Sequence, residues 1–189
     1  MKTWTFAAVC AALALNGCQI TPNAKDIELT NTGALLGIEA CERQATTGET
    51  LEQALGAVAG VRRFHSYSTS PPGSGLIAPN WKLEGLVWVG ASQPNNSCTV
   101  FSMSGSGEAT RDAIVAMQLA KTNRKWSRMR IIDPKPGDAR DAVCTTDDVG
   151  EGKSIAVVMT TNLKPGLTER RFIASVVPGR EADCTSRRL

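Results

Sequence analysis

WKLEGLVWVGASQPNNSCTVFSM, residues 81–103, sets two β-rich runs on either side of a turn, and the rest of the fold is built around them. Residues 81–92 are dense in Trp, Val and Leu, and SCTVFSM over 97–103 has the same β-branched and aromatic character. Gln93-Pro94-Asn95-Asn96 between them is turn chemistry. The spacing predicts a hairpin of one strand over 81–92 and its partner over 97–103. Gly105–Gly107 closes it, and Glu108 opens the strongest helix in the chain, EATRDAIVAMQLAKTN. Acidic residues lie near that helix's start and Lys121, Arg124 and Lys125 near its end, the order the helix dipole favours.

Upstream, Leu35, Ile38 and Cys41 recur at three-residue spacing with Leu36 beside them, which predicts a helix over 33–44. Thr50 and Gln53 fit a capping box that starts a second short helix carrying Leu51, Leu55 and Val58. Residues 62–80 are crowded with Ser, Pro and Gly and read as a long loop, with a short strand around Phe64–Tyr67. Downstream, SRMRIID, DAVCTT, KSIAVVMTTN and TERRFIASVV read as strands separated by turns at 134–137, 147–152 and 162–166. Strands joined so shortly pair antiparallel. The expected fold class is α+β: an antiparallel sheet, made of the hairpin and a C-terminal meander, with two or three helices on one face. Helix-then-strands occurs twice, a weak pseudo-duplication without a convincing residue-level repeat.

The chain has 189 residues, enough for one domain with a real core. Aromatics make up only 5%, so Ala, Val, Leu and Ile must fill that core. A net charge of +3 argues against a nucleic-acid binder, whose domains are strongly basic.

The first residues carry an address. Lys2 precedes an unbroken apolar run from Phe6 to Leu15, too short to span a bilayer but of signal-peptide length and charge order. Ala12-Leu13-Ala14 offers the general signal-peptidase site. Leu15-Asn16-Gly17-Cys18 resembles the lipobox of bacterial lipoproteins, with Asn16 standing where a small or β-branched residue is usual. The resemblance implies a diacylglyceryl thioether on Cys18. Gln19, rather than Asp, implies sorting to the outer membrane, facing the periplasm or the surface. Six cysteines become five when either cleavage removes Cys10, and four when Cys18 is acylated, an even set. The expected organisation is a signal peptide over 1–17, a flexible tether over 18–32 and a single domain over 33–189. The expected bridges are Cys41–Cys98 and Cys144–Cys184, each closing one half of the chain on itself.

Chemistry-bearing motifs are sparse. His65 is the only histidine, and no GxSxG elbow accompanies it. GEGKS over 150–154 lacks the upstream glycine and following helix of a phosphate loop. Asp147, Asp148 and Glu151 lack the alternating ligands of a calcium loop. No CxxC occurs, so neither a metal nor a cofactor is expected. Two places remain as partner-binding candidates. One is the margin of the Ser/Pro/Gly loop, with His65, Tyr67 and Trp81. The other is KTNRKWSRMR, where Lys121, Arg124, Lys125, Arg128 and Arg130 surround Trp126. Its bland alternative is a helix end with Trp126 in the core.

The expectation is a non-enzymatic envelope lipoprotein, membrane-bound through its anchor, that binds another envelope protein, a secreted protein or an anionic polymer. Two alternatives stand beside it. One is a glycan-cleaving hydrolase using a carboxylate pair drawn from residues such as Glu84 and Asp112. The other is a structural subunit of an envelope assembly.

Overall fold

The computed structural model describes residues 23–71, 74–92, 96–102, 107–122, 125–132, 138–145, 155–162 and 172–178. The described helices are α1 (Ala24–Thr47), α2 (Leu51–Ala57) and α3 (Gly107–Ala120). The strands are β1 (His65–Tyr67), β2 (Leu76–Lys82), β3 (Val87–Ser92), β4 (Ser97–Ser102), β5 (Trp126–Ile132), β6 (Asp138–Thr145), β7 (Ile155–Asn162) and β8 (Phe172–Pro178). They form one eight-stranded sheet in the order β1-β2-β3-β4-β8-β7-β6-β5, every neighbouring pair antiparallel. The α+β reading therefore holds. Helix followed by a four-strand meander occurs twice, and the two meanders meet through their last strands, with Val100 opposite Ala174.

The sheet's alternation separates two faces. Val87, Val89, Cys98, Val100, Val143, Ile155, Val157, Met159, Ala174 and Val176 join α1, α2 and α3 in a single buried core. α1 lies over β3, β4 and β8, and α3 over β5 to β8. The opposite face carries Trp88, Gly90, Thr99, Phe101 and Ser175, and Phe101 is fully buried there against the Trp88 ring, 6.2 Å between centroids.

Three sequence expectations change. First, WKLEGLVWVGAS is two strands, not one. The chain turns at Leu83–Leu86, where Gly85 has φ +69° and the Leu83 N–H donates to the Val87 carbonyl at 2.9 Å. Second, the loop assigned to 62–80 ends at Leu76, where β2 begins. Pro79 is tolerated because the β2–β3 register shifts between Leu76 and Asn80, so no ladder bond is lost to it. The Ala78–Pro79 bond is cis.

Third, α1 starts at Ala24 instead of Gly33 and takes in nine residues of the expected tether. Asn23 is its N-cap, accepting from the Asp26 N–H at 2.9 Å. The buried stripe is Thr30, Gly33, Ala34, Gly37, Ile38 and Cys41, at i, i+3/i+4 spacing, while Leu35 and Leu36 sit at its margin. Small residues let the helix axis approach the sheet: a Cβ on Gly37 would lie 2.9 Å from a Val89 methyl and 3.0 Å from a Val100 methyl. The α2 capping box forms as expected, with Thr50 accepting from the Gln53 N–H and the Gln53 side chain accepting from the Thr50 N–H.

Cys41 of α1 and Cys98 of β4 are disulfide-bonded, with sulfurs 2.02 Å apart, inside the core. Cys144 sits on β6 opposite Ser127 and Ala156, whereas Cys184 lies outside the described residues, as do the signal segment, Cys18, GEGKS and the Asp147–Glu151 turn. Among the described residues no helix is long and apolar enough to cross a membrane.

Candidate functional site

The first predicted site divides between the two faces of the sheet. β1 is an edge strand whose three residues are all exposed. His65 pairs opposite Lys82 and Tyr67 opposite Asn80, on the face away from the helices. Trp81 pairs opposite Ser66 and Val89 and packs half-buried against the core. Thus Tyr67 and His65 share a surface, and Trp81 belongs to the opposite one.

Beside Tyr67 the helix-free face continues through side chains that the sequence did not single out. Asn80 is fully buried; its Nδ2 donates to the Thr69 carbonyl at 3.1 Å and reaches the Ser70 hydroxyl at 3.4 Å. It thereby holds the Ser/Pro/Gly loop onto the sheet, and its Oδ1 has no partner among the described residues. Gly90, opposite it, admits this packing, since a Cβ there would meet the Asn80 Cβ at 2.9 Å. Lys82 lies 5.5 Å from the Trp88 ring centroid. Next along the face runs a chain of hydroxyls: Ser97 to Ser92 at 3.2 Å, Ser92 to Thr99 at 2.8 Å, Thr99 to Ser175 at 2.7 Å. An aromatic ring, an ammonium and a row of hydroxyls on a rigid sheet suit contact with a polar partner. They supply no nucleophile–base pair.

The second predicted site is drawn inward. Lys121 follows the end of α3, donates to Glu42 of α1 at 2.8 Å, and stands 6.0 Å from the Trp126 ring centroid. Gln118 of α3 donates to the other Glu42 oxygen. Trp126 packs half-buried on the core, and its Nε1, like the Gln118 Oε1, is buried without a partner among the described residues. Lys121 and Trp126 therefore serve as a polar clasp between α1, α3 and β5. Lys125 and Arg128 are exposed and each has partners of its own. Arg130 stands opposite Asp141 in the ladder, and Arg124 lies outside the described residues.

Of the carboxylates, Glu84 is exposed at the β2–β3 turn, and Asp112 is exposed and paired with its neighbour Arg111 at 3.0 Å. At the end of α1, Arg43 forms a two-pronged pair with Glu49, at 2.6 and 2.8 Å. That hydrogen bonding holds the Glu49 carboxyl below the usual carboxylate range and raises the Arg43 guanidinium. Among the described residues no group of three or more His, Cys, Asp or Glu converges to hold a metal. Compared with protein-family models, curated proteins and solved structures, the chain matches none.

Proposed function

We propose that this chain is an exported bacterial envelope lipoprotein, anchored through Cys18, whose α+β domain binds another envelope component or a secreted protein without catalysing a reaction. The observation that carries the reading is the Cys41–Cys98 bridge, sealed in the core between α1 and β4. Structural disulfides of this kind belong to oxidising compartments. It is supported by the Phe6–Leu15 signal-like run, the Leu15–Cys18 motif, and a cysteine count that, once cleavage removes Cys10, is even only when Cys18 is acylated.

Binding is assigned to the helix-free face around Tyr67, Lys82 and Trp88. Tyr67 is exposed on the edge strand, with Lys82 and Trp88 half-buried beside it on strands paired on both sides, and Tyr and Trp recur at contact hot spots. Two measurements on one preparation test this. The intact mass of protein extracted from the native envelope must carry acyl chains at Cys18; an unmodified terminus at Leu15 removes the anchor. A photo-crosslinker in place of Tyr67 must yield one recurrent adduct that Lys82→Ala and Trp88→Ala both abolish. Adducts indifferent to both substitutions remove the binding face.

A further inference from the structure

We infer that the anchored domain docks on the bilayer surface through the end where the β2–β3 turn meets the start of α1, with Leu86 at the contact. The inference rests on the anchoring at Cys18 proposed above. Because Asn23 caps α1, only five residue steps separate Cys18 from the helix. At about 3.6 Å per residue such a segment reaches at most about 18 Å. A tether continuing to residue 32 would let the domain turn freely above the headgroups; one ending at Asn23 keeps the first turn of α1 within a single short span of them.

What lies beside the next two turns is set by packing. Thr30 is buried against Gly85, whose Cβ position is 3.0 Å from the Thr30 hydroxyl oxygen, and a Cβ on Gly33 would sit 2.7 Å from the Glu84 carbonyl oxygen. The Leu83–Leu86 turn is therefore fixed to α1 at Thr30 and Gly33, about 9–14 Å along the axis from Ala24, and travels with it. Leu86 projects from this turn 46% exposed, one of few large apolar side chains so open among the described residues. Lys25 is offset by Asp26, Glu28 and Glu84, all exposed nearby, so chain length and an apolar tip set the contact rather than attraction to anionic lipid.

The far end supplies the comparison. Thr110, near the start of α3, donates to Asn31, and Lys121, just past its end, donates to Glu42, so α1 and α3 run side by side in one direction. From Ala24 to Glu42 the helix rises about 27 Å at about 1.5 Å per residue. Leu119, at that distant end, is 47% exposed, as open as Leu86.

The test uses the full-length chain purified from membranes and reconstituted in vesicles of phosphatidylethanolamine and phosphatidylglycerol. p-Benzoylphenylalanine replaces Leu86 in one variant and Leu119 in the other, and the intact mass after irradiation is read. Phospholipid adducts at position 86, lost at position 119, are expected. With Cys18 acylated, equal labelling at both positions, or none at 86, overturns the orientation and leaves the anchor standing. Cys18 without acyl chains overturns the anchor, and the orientation falls with it.

Discussion

Removing the Cys41–Cys98 bridge gives the sharpest test of how this domain is stabilised. The two cysteines are 57 residues apart in sequence, and joining them restricts the unfolded chain by the entropy of closing that loop. In the chain-entropy model a loop of this size is worth about 4 kcal/mol at room temperature. For a domain of this length each kcal/mol moves the thermal midpoint by about 2–4 °C, so the loss corresponds to about 8–16 °C. The assay is urea unfolding followed by tryptophan fluorescence, on protein carrying Cys18→Ser so that it is handled without detergent. Cys41→Ala/Cys98→Ala is compared with Cys98→Ala alone: both lack the bridge, and their difference isolates the missing Cys41 sulfur. The double variant should lose about 4 kcal/mol beyond that sulfur's contribution, with a steeper denaturant dependence because its unfolded state exposes more surface. A loss below about 1 kcal/mol with unchanged slope would refute the reasoning, since the bridge would then not be constraining the unfolded chain.

Other outcomes follow from single contacts. Gly33→Ala places a methyl against the Glu84 carbonyl and should cost about 1–3 kcal/mol, whereas Gly56→Ala, with open space around it, should gain about 0.5–1 kcal/mol; thermal unfolding of both reads the contrast. Lys121→Met removes the cation from the largely buried Glu42 and should cost about 3 kcal/mol in urea unfolding, with Trp126 emission shifted because its cationic neighbour is gone. Glu49 should titrate below the ordinary carboxylate range in carboxyl chemical-shift measurements, and Arg43→Gln should move it back up. Because its folded-state value is lowered, the pair's stabilisation is present at neutral pH and is lost as pH falls through that value.

Where the chain spoke in strong local signals, its reading agrees with the structure. The Thr50–Gln53 cap, the helix that follows Gly105–Gly107 and the β-branched run of β7 each depend on neighbours within a few residues. α1 was half hidden because its buried stripe is built of Thr30, Gly33, Ala34 and Gly37, which leave little mark on an apolar-periodicity reading. The turn at Leu83–Leu86 was legible in hindsight: Trp81, Leu83, Val87 and Val89 share one parity, Leu86 breaks it, and Glu84-Gly85 interrupts the apolar run. Of the candidate sites, Tyr67 and His65 came from their place beside a long loop. Asn80 and Gly90 were invisible, because their importance lies in a cross-strand contact that no local pattern encodes. Lys121 and Trp126 were singled out for charge and aromaticity, and only tertiary packing shows that Glu42, 79 residues earlier, claims the lysine.

The seam between β4 and β8 has a consequence for the life of the chain. The last of the described strands is an inner neighbour, not an edge, so β4 waits for a partner 70 residues downstream of its own end. Until Phe172–Pro178 has emerged, the sheet stays open at its middle and the core beneath α1 lacks Ala174 and Val176. Long-range pairing of this kind delays folding. A polypeptide with that property cannot close its sheet until β8 has been made, so its two meanders mature together rather than one after the other.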